Sequence, residues 1–487
     1  MAEEQKQDEE KVSLVRLLFD AAFAQTRVWR TSNGDLYVDV RQDGSWRTMP
    51  LHPGPRSLFG AWLRGVYVSI TNGSVAHSRT IDEVVAEFTG RALMTQHPIQ
   101  DALRVGWGPG GSIWLDLCDG EGTGVEITKE GWRLVKDSPV RFVRGQGMLP
   151  LPRPVKGRSL PEELRPLLQT RTEDDLYLLT GWLLGTLRPS GPYPVLIVTG
   201  QAGAAKSSTI RFLRKMVDPH ALDMIEPPRS SRDFVASVRH NYVTAVDNIS
   251  FMPDWLSDNL CRLATGTGAI GGRALYTDFD LSSFVACRPI MLNGIPDFVQ
   301  RGDLMDRSIH VDLPRLEPEA VKAEKIYWKE VEDAWPRILG SLLDAAVVAL
   351  RDWDSTVLKE SPRMADFARW AVASEKAWTE EGRFMQAYKA NRDKATIALV
   401  EFSVIGQGIV KIIEDKNNFY GSYADLQALL PLYVPAGQKM PQSPQGLAAE
   451  LRRIAPSLKV YGINFACNGA QKDRKTQIEL TKNLPPL

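Results

Sequence analysis

The sequence predicts an α/β protein carrying further modules, and three observations lead there. Between residues 160 and 316, apolar strand-like runs (VLIVTG, YVTAVDN, FVACRPIMLNG, SIHVDLP) alternate with helical intervals, the pattern of a mainly parallel sheet. The first of these runs opens onto a small-residue loop, GQAGAAKSS, and then onto a helical stretch. At 487 residues the chain also exceeds what one hydrophobic core supports, so about two to four domains are expected.

Composition narrows the class. Charged residues make up 24%, hydrophobic residues 43%, and the formal net charge is zero. No whole-chain charge therefore favours a polyanion, and any nucleic-acid site must be local. Cys118, Cys261, Cys287 and Cys467 lie far apart, which argues against a zinc site or a disulfide framework and fits a reducing cytoplasm. The start MAEEQKQDEEKVSL has no signal-type apolar core, and no apolar run of about 18 residues follows, so no membrane association is expected.

In chain order, residues 1–26 read as a polar tail and a helix, KVSLVRLLFDAAFAQ. Residues 27–150 read as a β-rich module: DLYVDVR, SIWLDLC, GVEIT and VRFVR alternate and are separated by turn signals. GWGPGG at 106–111 is read as one of those turns, not as a phosphate site. The prolines of LPLPRPVKGRSLP mark a linker into the α/β domain, 151–316. Residues 317–395 are helical and amphipathic. The last segment, 396–487, offers three helices and a hairpin, a winged-helix pattern. Trp182, Trp255, Trp335 and Trp370 sit in apolar helices and read as core, and six scattered histidines form no metal-ligand pair.

The chemistry begins at the loop. Phosphate binding needs converging N–H groups, a helix N-terminus, a lysine for the β and γ phosphates and a hydroxyl for Mg²⁺. Gly200, Gln201, Ala202, Gly203, Ala204, Ala205, Lys206, Ser207 and Ser208 supply these in order, which implies ATP and Mg²⁺. Ala205 stands where glycine is usual. If it already belongs to the helix, helical dihedrals suit it and the cost is small. Forty residues on, HNYVTAVDNIS ends a strand in Asp247, placed to join Ser207 around the metal. The neighbour is Asn248, whose amide cannot act as a base, so Asp247 serves alone, another carboxylate helps, or turnover is slow. RPIMLN ends in Asn293, a residue able to orient water at a γ-phosphate. Arg301 and Arg307 precede the next strand and could reach a neighbouring chain's nucleotide; the alternative is an ion pair with Asp303 or Asp306.

Taken together, phosphate loop, strand ending in Asp247, RLATGTGAIGGRALY, strand ending in Asn293 and DLMDRSIHVDLP, residues 160–316 resemble the superfamily 3 helicases, closest to the poxvirus and phage primase-helicase type and its relatives in prophages and mobile elements. The resemblance implies an AAA+ P-loop ATPase core forming a hexameric ring that translocates on DNA. It assigns Lys206 and Ser207 to the first motif, Asp247 to the second, Asn293 to the sensor and Arg307 to the arginine finger. No primase site is recognised in residues 1–160, so primer synthesis is not expected.

By the same resemblance RALYTDFDLSSFVACR would be the hairpin lining the pore. It carries Asp278 and Asp280 at its tip, with Arg273 and Arg288 at its base as candidate phosphate contacts. In the tail, Arg452 and Arg453 on a helix and Lys472, Arg474 and Lys475 on a wing loop are candidate DNA contacts; the alternative is a solvated charged face. The expected function is an ATP-hydrolysing, helicase-like ring motor on DNA in replication of a phage or mobile element. The competing reading, favoured by the zero net charge, Asn248 and the acidic hairpin, is a nucleotide-switched scaffold acting on a protein.

Overall fold

The stretch VSLVRLLFDAAF repeats apolar residues every three or four positions, and in the computed structural model it forms helix α1 (14–23), with Leu18, Phe19 and Ala22 buried. The structure describes residues 14–482, apart from positions 43, 53, 55, 269, 271–284, 296–297, 300, 436, 439 and 469–476. After α1, alternating runs give an antiparallel sheet of β1 (Thr26–Arg30), β2 (Leu36–Gln42) and β3 (Ser45–Pro50). Helices α2 (Leu58–Ile70) and α3 (Ser78–Leu93) cover one face and share a core of their own with Val38, Val40, Phe59 and Phe88. On the other face Asp39 is buried, accepting from Trp29 Nε1 at 3.0 Å and Thr48 Oγ1 at 2.8 Å and pairing with Arg141.

A second β unit follows. Strand β4 (Asp101–Ala102) later pairs in parallel with β9 (Arg141–Phe142). Between them β5 (Val105–Trp107), β6 (Ile113–Asp116), β7 (Thr123–Ile127) and β8 (Trp132–Lys136) run as an antiparallel meander. GWGPGG joins β5 to β6. Leu103, Leu115 and Val125 belong to the same apolar core as the parallel sheet described next, and so do Leu151 and Leu160. The proline-marked stretch therefore runs across a shared core and is not a linker between separate ones.

Helix α4 (Leu160–Leu164) leads to α5 (Glu173–Thr186), opened by a capping box of Thr172 and Asp175. Strand β10 (Val195–Gly200) is central to a parallel sheet and is buried from Val195 to Val198, as a strand covered on both faces must be. Helices α6 (Lys206–Val217) and α7 (Ser231–Arg239) precede β11 (Thr244–Ile249). Helix α8 (Asp254–Thr265), β12 (Ile290–Gly294), α9 (Gly302–Met305) and β13 (Ser308–Leu313) complete the unit. Strand order is β11-β12-β10-β13, all parallel, and a bridge from Ile225 to Val246 adds one more parallel contact outside β11.

Three helices close this core: α10 (Glu324–Asp352), α11 (Ala365–Ser374) and α12 (Arg383–Phe402). Trp182, Trp335 and Trp370 are buried in it, and Trp255 packs against it. Helix α10 also grips the outer side of α6: the Arg211 guanidinium lies 4.9 Å over the Trp328 ring and Lys215 Nζ 4.4 Å over Trp335. Among the described residues, no single helix is long and apolar enough to cross a membrane.

The C-terminal unit has a separate core. It runs α13 (Val404–Lys416), β14 (Asn418–Ser422), α14 (Tyr423–Leu429), α15 (Pro444–Val460), β15 (Ile463–Asn468) and β16 (Gln477–Lys482), with sheet order β14-β16-β15. To the three helices and hairpin read from the sequence the fold adds β14. Helices α12 and α13 meet at 90° across the single residue Ser403, whose hydroxyl caps α13 at Gly406 N.

One ion pair links these layers. Arg104, just before β5, meets Asp218 at 3.1 Å with both side chains fully buried. Arg104 also donates to the carbonyls of Asp116, Leu149 and Pro219, and Asp218 accepts from Val243 N–H at 2.9 Å. Removing one partner leaves the other charge buried alone. Arg104→Met is expected to lower stability by about 3–5 kcal/mol in urea titration, whereas Arg16→Met at the exposed Arg16–Asp20 pair changes it by less than about 1 kcal/mol.

Candidate nucleotide site

The loop between β10 and α6 bends on two glycines. Gly203 has φ +82°, and a Cβ on Gly200 would come within 2.9 Å of the Leu313 carbonyl. Lys206 opens α6, so the unpaired N–H groups of the first helical turn face the loop. Lys206 Nζ donates to the carbonyls of Gly200 at 2.8 Å and Gln201 at 3.0 Å, which keeps its charge at the loop.

Three strand ends converge beside it. Ser207 Oγ, one residue into α6, donates to Asp247 Oδ1 at 3.0 Å. Asn293 Nδ2 donates to Ser207 Oγ at 3.3 Å, and Asn293 Oδ1 accepts from the Asn248 N–H at 2.5 Å. The parallel register that pairs Val198 with Asn293 delivers these groups to one end of the sheet, the carboxyl end, where α/β proteins place ligands. Asn248 has φ +55°, and pairing shifts between Val246 and Ile249, so the strand bulges just after Asp247.

Several expectations need correction. Ala205 does not take helical dihedrals: it is the N-cap of α6 at φ 55°, ψ 28°, left-handed backbone that crowds a Cβ. Arg288 is not free for a phosphate. Its guanidinium donates to the carbonyls of Arg239 at 2.9 Å and Asn241 at 3.2 Å, holding the chain that leaves α7. Arg453 is exposed, beside Glu450, at the edge of a cleft of about 190 Å³ bordered also by Gly302, Leu399 and Phe402. In this single chain Arg307 is paired with Asp303 and its side chain is only 10% exposed, so the ion-pair alternative is the one seen. Arg301 pairs with Asp258 at 2.8 Å and Asp254 at 3.6 Å and is 35% exposed. Arg452 is exposed beside Tyr423. Arg273, Asp278, Asp280, Lys472, Arg474 and Lys475 lie outside the described residues.

Sequence reading missed a second polar chain behind the loop. Thr199 Oγ1 donates to Asp312 Oδ1 at 3.1 Å, and Arg171 holds Asp312 Oδ2 at 2.6 Å. The partners stand more than 100 residues apart, so no local spacing announces them. They line a cavity of about 460 Å³ between the sheet, α5 and α12, which does not include Lys206 or Ser207. His310 borders it. Asn391 brackets the His310 backbone, accepting from its N–H and donating to its carbonyl, while the ring Nε2 is buried without a partner among the described residues.

Comparison with known proteins adds a family context. Residues 164–396 match the family model of the actinomycete integrative conjugative element replication protein, and residues 405–485 match the C-terminal domain model of the same protein, RepA. The first match contains Lys206, Ser207, Asp247, Asn293 and Arg307. Three solved structures of the NrS-1 C-terminal region resemble the chain at 10–11% identity and TM-scores of 0.40–0.42, covering 96% of this chain and 98–99% of theirs. No curated protein matches the sequence.

Two measurements check the local geometry. Ala205→Gly is expected to raise stability by about 1 kcal/mol in chemical denaturation, because glycine accepts the left-handed backbone without a Cβ clash. Burial pushes the His310 imidazole from its usual 6.5 down to about 4. The unfolded chain therefore binds a proton that the folded chain refuses, and the stability present above pH 6.5 is lost as pH falls toward 4. The melting temperature of His310→Gln is expected to fall less across that window.

Proposed function

We propose that the chain is a replication protein of an integrative conjugative element whose α/β core, read as AAA+, hydrolyses ATP to drive a ring-shaped motor along DNA. The observation that carries this reading is the meeting of Ser207, Asp247 and Asn293 beside Lys206 at one end of a parallel sheet. The two family matches support the replication part, and the order of motifs supports the helicase-like part.

The residues present fit the ligands. The loop from Gly200 to Ser208 and the N-terminus of α6 offer N–H groups to phosphate oxygens, and Lys206 can exchange two carbonyl partners for a phosphate. Ser207 and Asp247 provide hard oxygen donors 3.0 Å apart, suited to Mg²⁺. When bound, that ion neutralises charge on the β and γ oxygens. Asn293 is placed to orient water. In the oligomer, a hexamer by resemblance, Arg301 is the better placed guanidinium to reach a neighbouring chain, being more exposed than Arg307 and held by surface acids. Contact with DNA falls to the winged-helix-like C-terminal unit through Arg452, Arg453, Lys472, Arg474 and Lys475, and to Arg273.

A second reading, a nucleotide-switched scaffold for a protein partner, is favoured by the inward placement of Arg288. ATP hydrolysis by the purified protein with and without single-stranded DNA separates the two. The motor reading expects hydrolysis that DNA stimulates and that Lys206→Ala lowers by about a hundredfold or more. Lysine-dependent hydrolysis indifferent to DNA would favour the scaffold, and no hydrolysis at all would overturn the ATPase reading.

A further inference from the structure

The water that attacks a γ-phosphorus needs an acceptor for its proton, and the residue after Asp247 is an amide. Asn248 is also displaced by the bulge, its backbone N–H spent on Asn293. The segment bridged to the outer side of β11 supplies what is missing. Ile225 N–H donates to the Ala245 carbonyl and Asp247 N–H donates to the Ile225 carbonyl, each at 2.9 Å. In a parallel pair this register sets Ile225 level with Val246 and Glu226 level with Asp247. Because side chains alternate along strands, Glu226 falls on the face that Asp247 presents to Ser207, about 4.8 Å further along the sheet.

Glu226 is exposed and makes no hydrogen bond or ion pair among the described residues. Nearby acids are engaged: Asp223 with Arg211, Asp312 with Thr199 and Arg171, and Asp258 with Arg301. Pro227 and Pro228 follow at once, so no N–H from those two positions can extend the pairing and Glu226 stands just past the bridge, where it ends.

We propose that Glu226 is the general base of nucleotide hydrolysis in this chain. Its carboxylate accepts one proton of the attacking water. The water oxygen forms the new bond to the γ-phosphorus, and the bond to the bridging oxygen breaks with its electron pair leaving on the diphosphate. The proton then passes from Glu226 to solvent. This rests on the ATPase reading above and assigns the step that Asn248 cannot perform.

The test compares wild type, Glu226→Gln, Glu226→Asp and Lys206→Ala, with binding of a fluorescent ATP analogue measured apart from phosphate release. Glu226→Gln is expected to bind the analogue within about twofold of wild type while its kcat falls roughly 10²–10³-fold, with Glu226→Asp in between. An unchanged melting temperature confirms that the exposed substitution leaves the fold alone. A kcat for Glu226→Gln within about threefold of wild type overturns the assignment, since a general base contributes far more than that. Loss of analogue binding together with activity also overturns it, by making Glu226 a binding residue. Absence of lysine-dependent hydrolysis in the wild type removes the ATPase reading itself, an outcome distinct from either.

Discussion

The Arg104–Asp218 pair is the constraint on which the arrangement depends. Two charges fully removed from water are tolerable only where geometry and further hydrogen bonds replace the lost hydration. Here Arg104 gathers three carbonyls and Asp218 one N–H, so the pair ties the β meander, the end of α6 and the start of β11 into a single network. The helix that begins at the Gly200–Ser208 loop thus ends on a fixed point. The cation–π contacts with α10 fix its outer side as well. Only its N-terminal turn is left for a ligand.

That fixation explains how Ala205 is held in left-handed backbone. A left-handed alanine costs on the order of 1–2 kcal/mol, and such local strain persists where surrounding structure over-determines the backbone. Helix α6 is held at its far end and along its side, so the loop must close whatever residue sits at its last position. Asn248 is left-handed too, but asparagine accepts that backbone more readily, and its N–H reaches Asn293 because of it.

What was legible in the sequence was local. The strand, loop and helix around Lys206 follow from a spacing of a few residues, and Asp247 and Asn293 follow from strand ends with apolar runs before them. What was not legible depends on partners far away in the chain. Arg104 and Asp218 are separated by 114 positions, and Arg288 meets carbonyls almost 50 residues earlier. Each reads alone as a surface charge. Strand β14, NFYGS, is short and polar and starts directly after the left-handed Asn417, so it looks like a turn until β16 pairs with it. The prolines near 150 suggested a linker because proline stiffens linkers, yet Leu151 and Leu160 among them pack into the core that β6 and β10 share.

The right-angle joint at Ser403 bears on how the C-terminal unit handles whatever it holds. A flexible tether lets two sites find each other with an effective concentration set by its length. A joint of one residue, capped at Gly406 and flanked by two helices, allows almost no search. Helix α12 packs on α5 and on α15 alike. The C-terminal unit is therefore a fixed arm, held against the parallel-sheet unit at one distance and in one orientation.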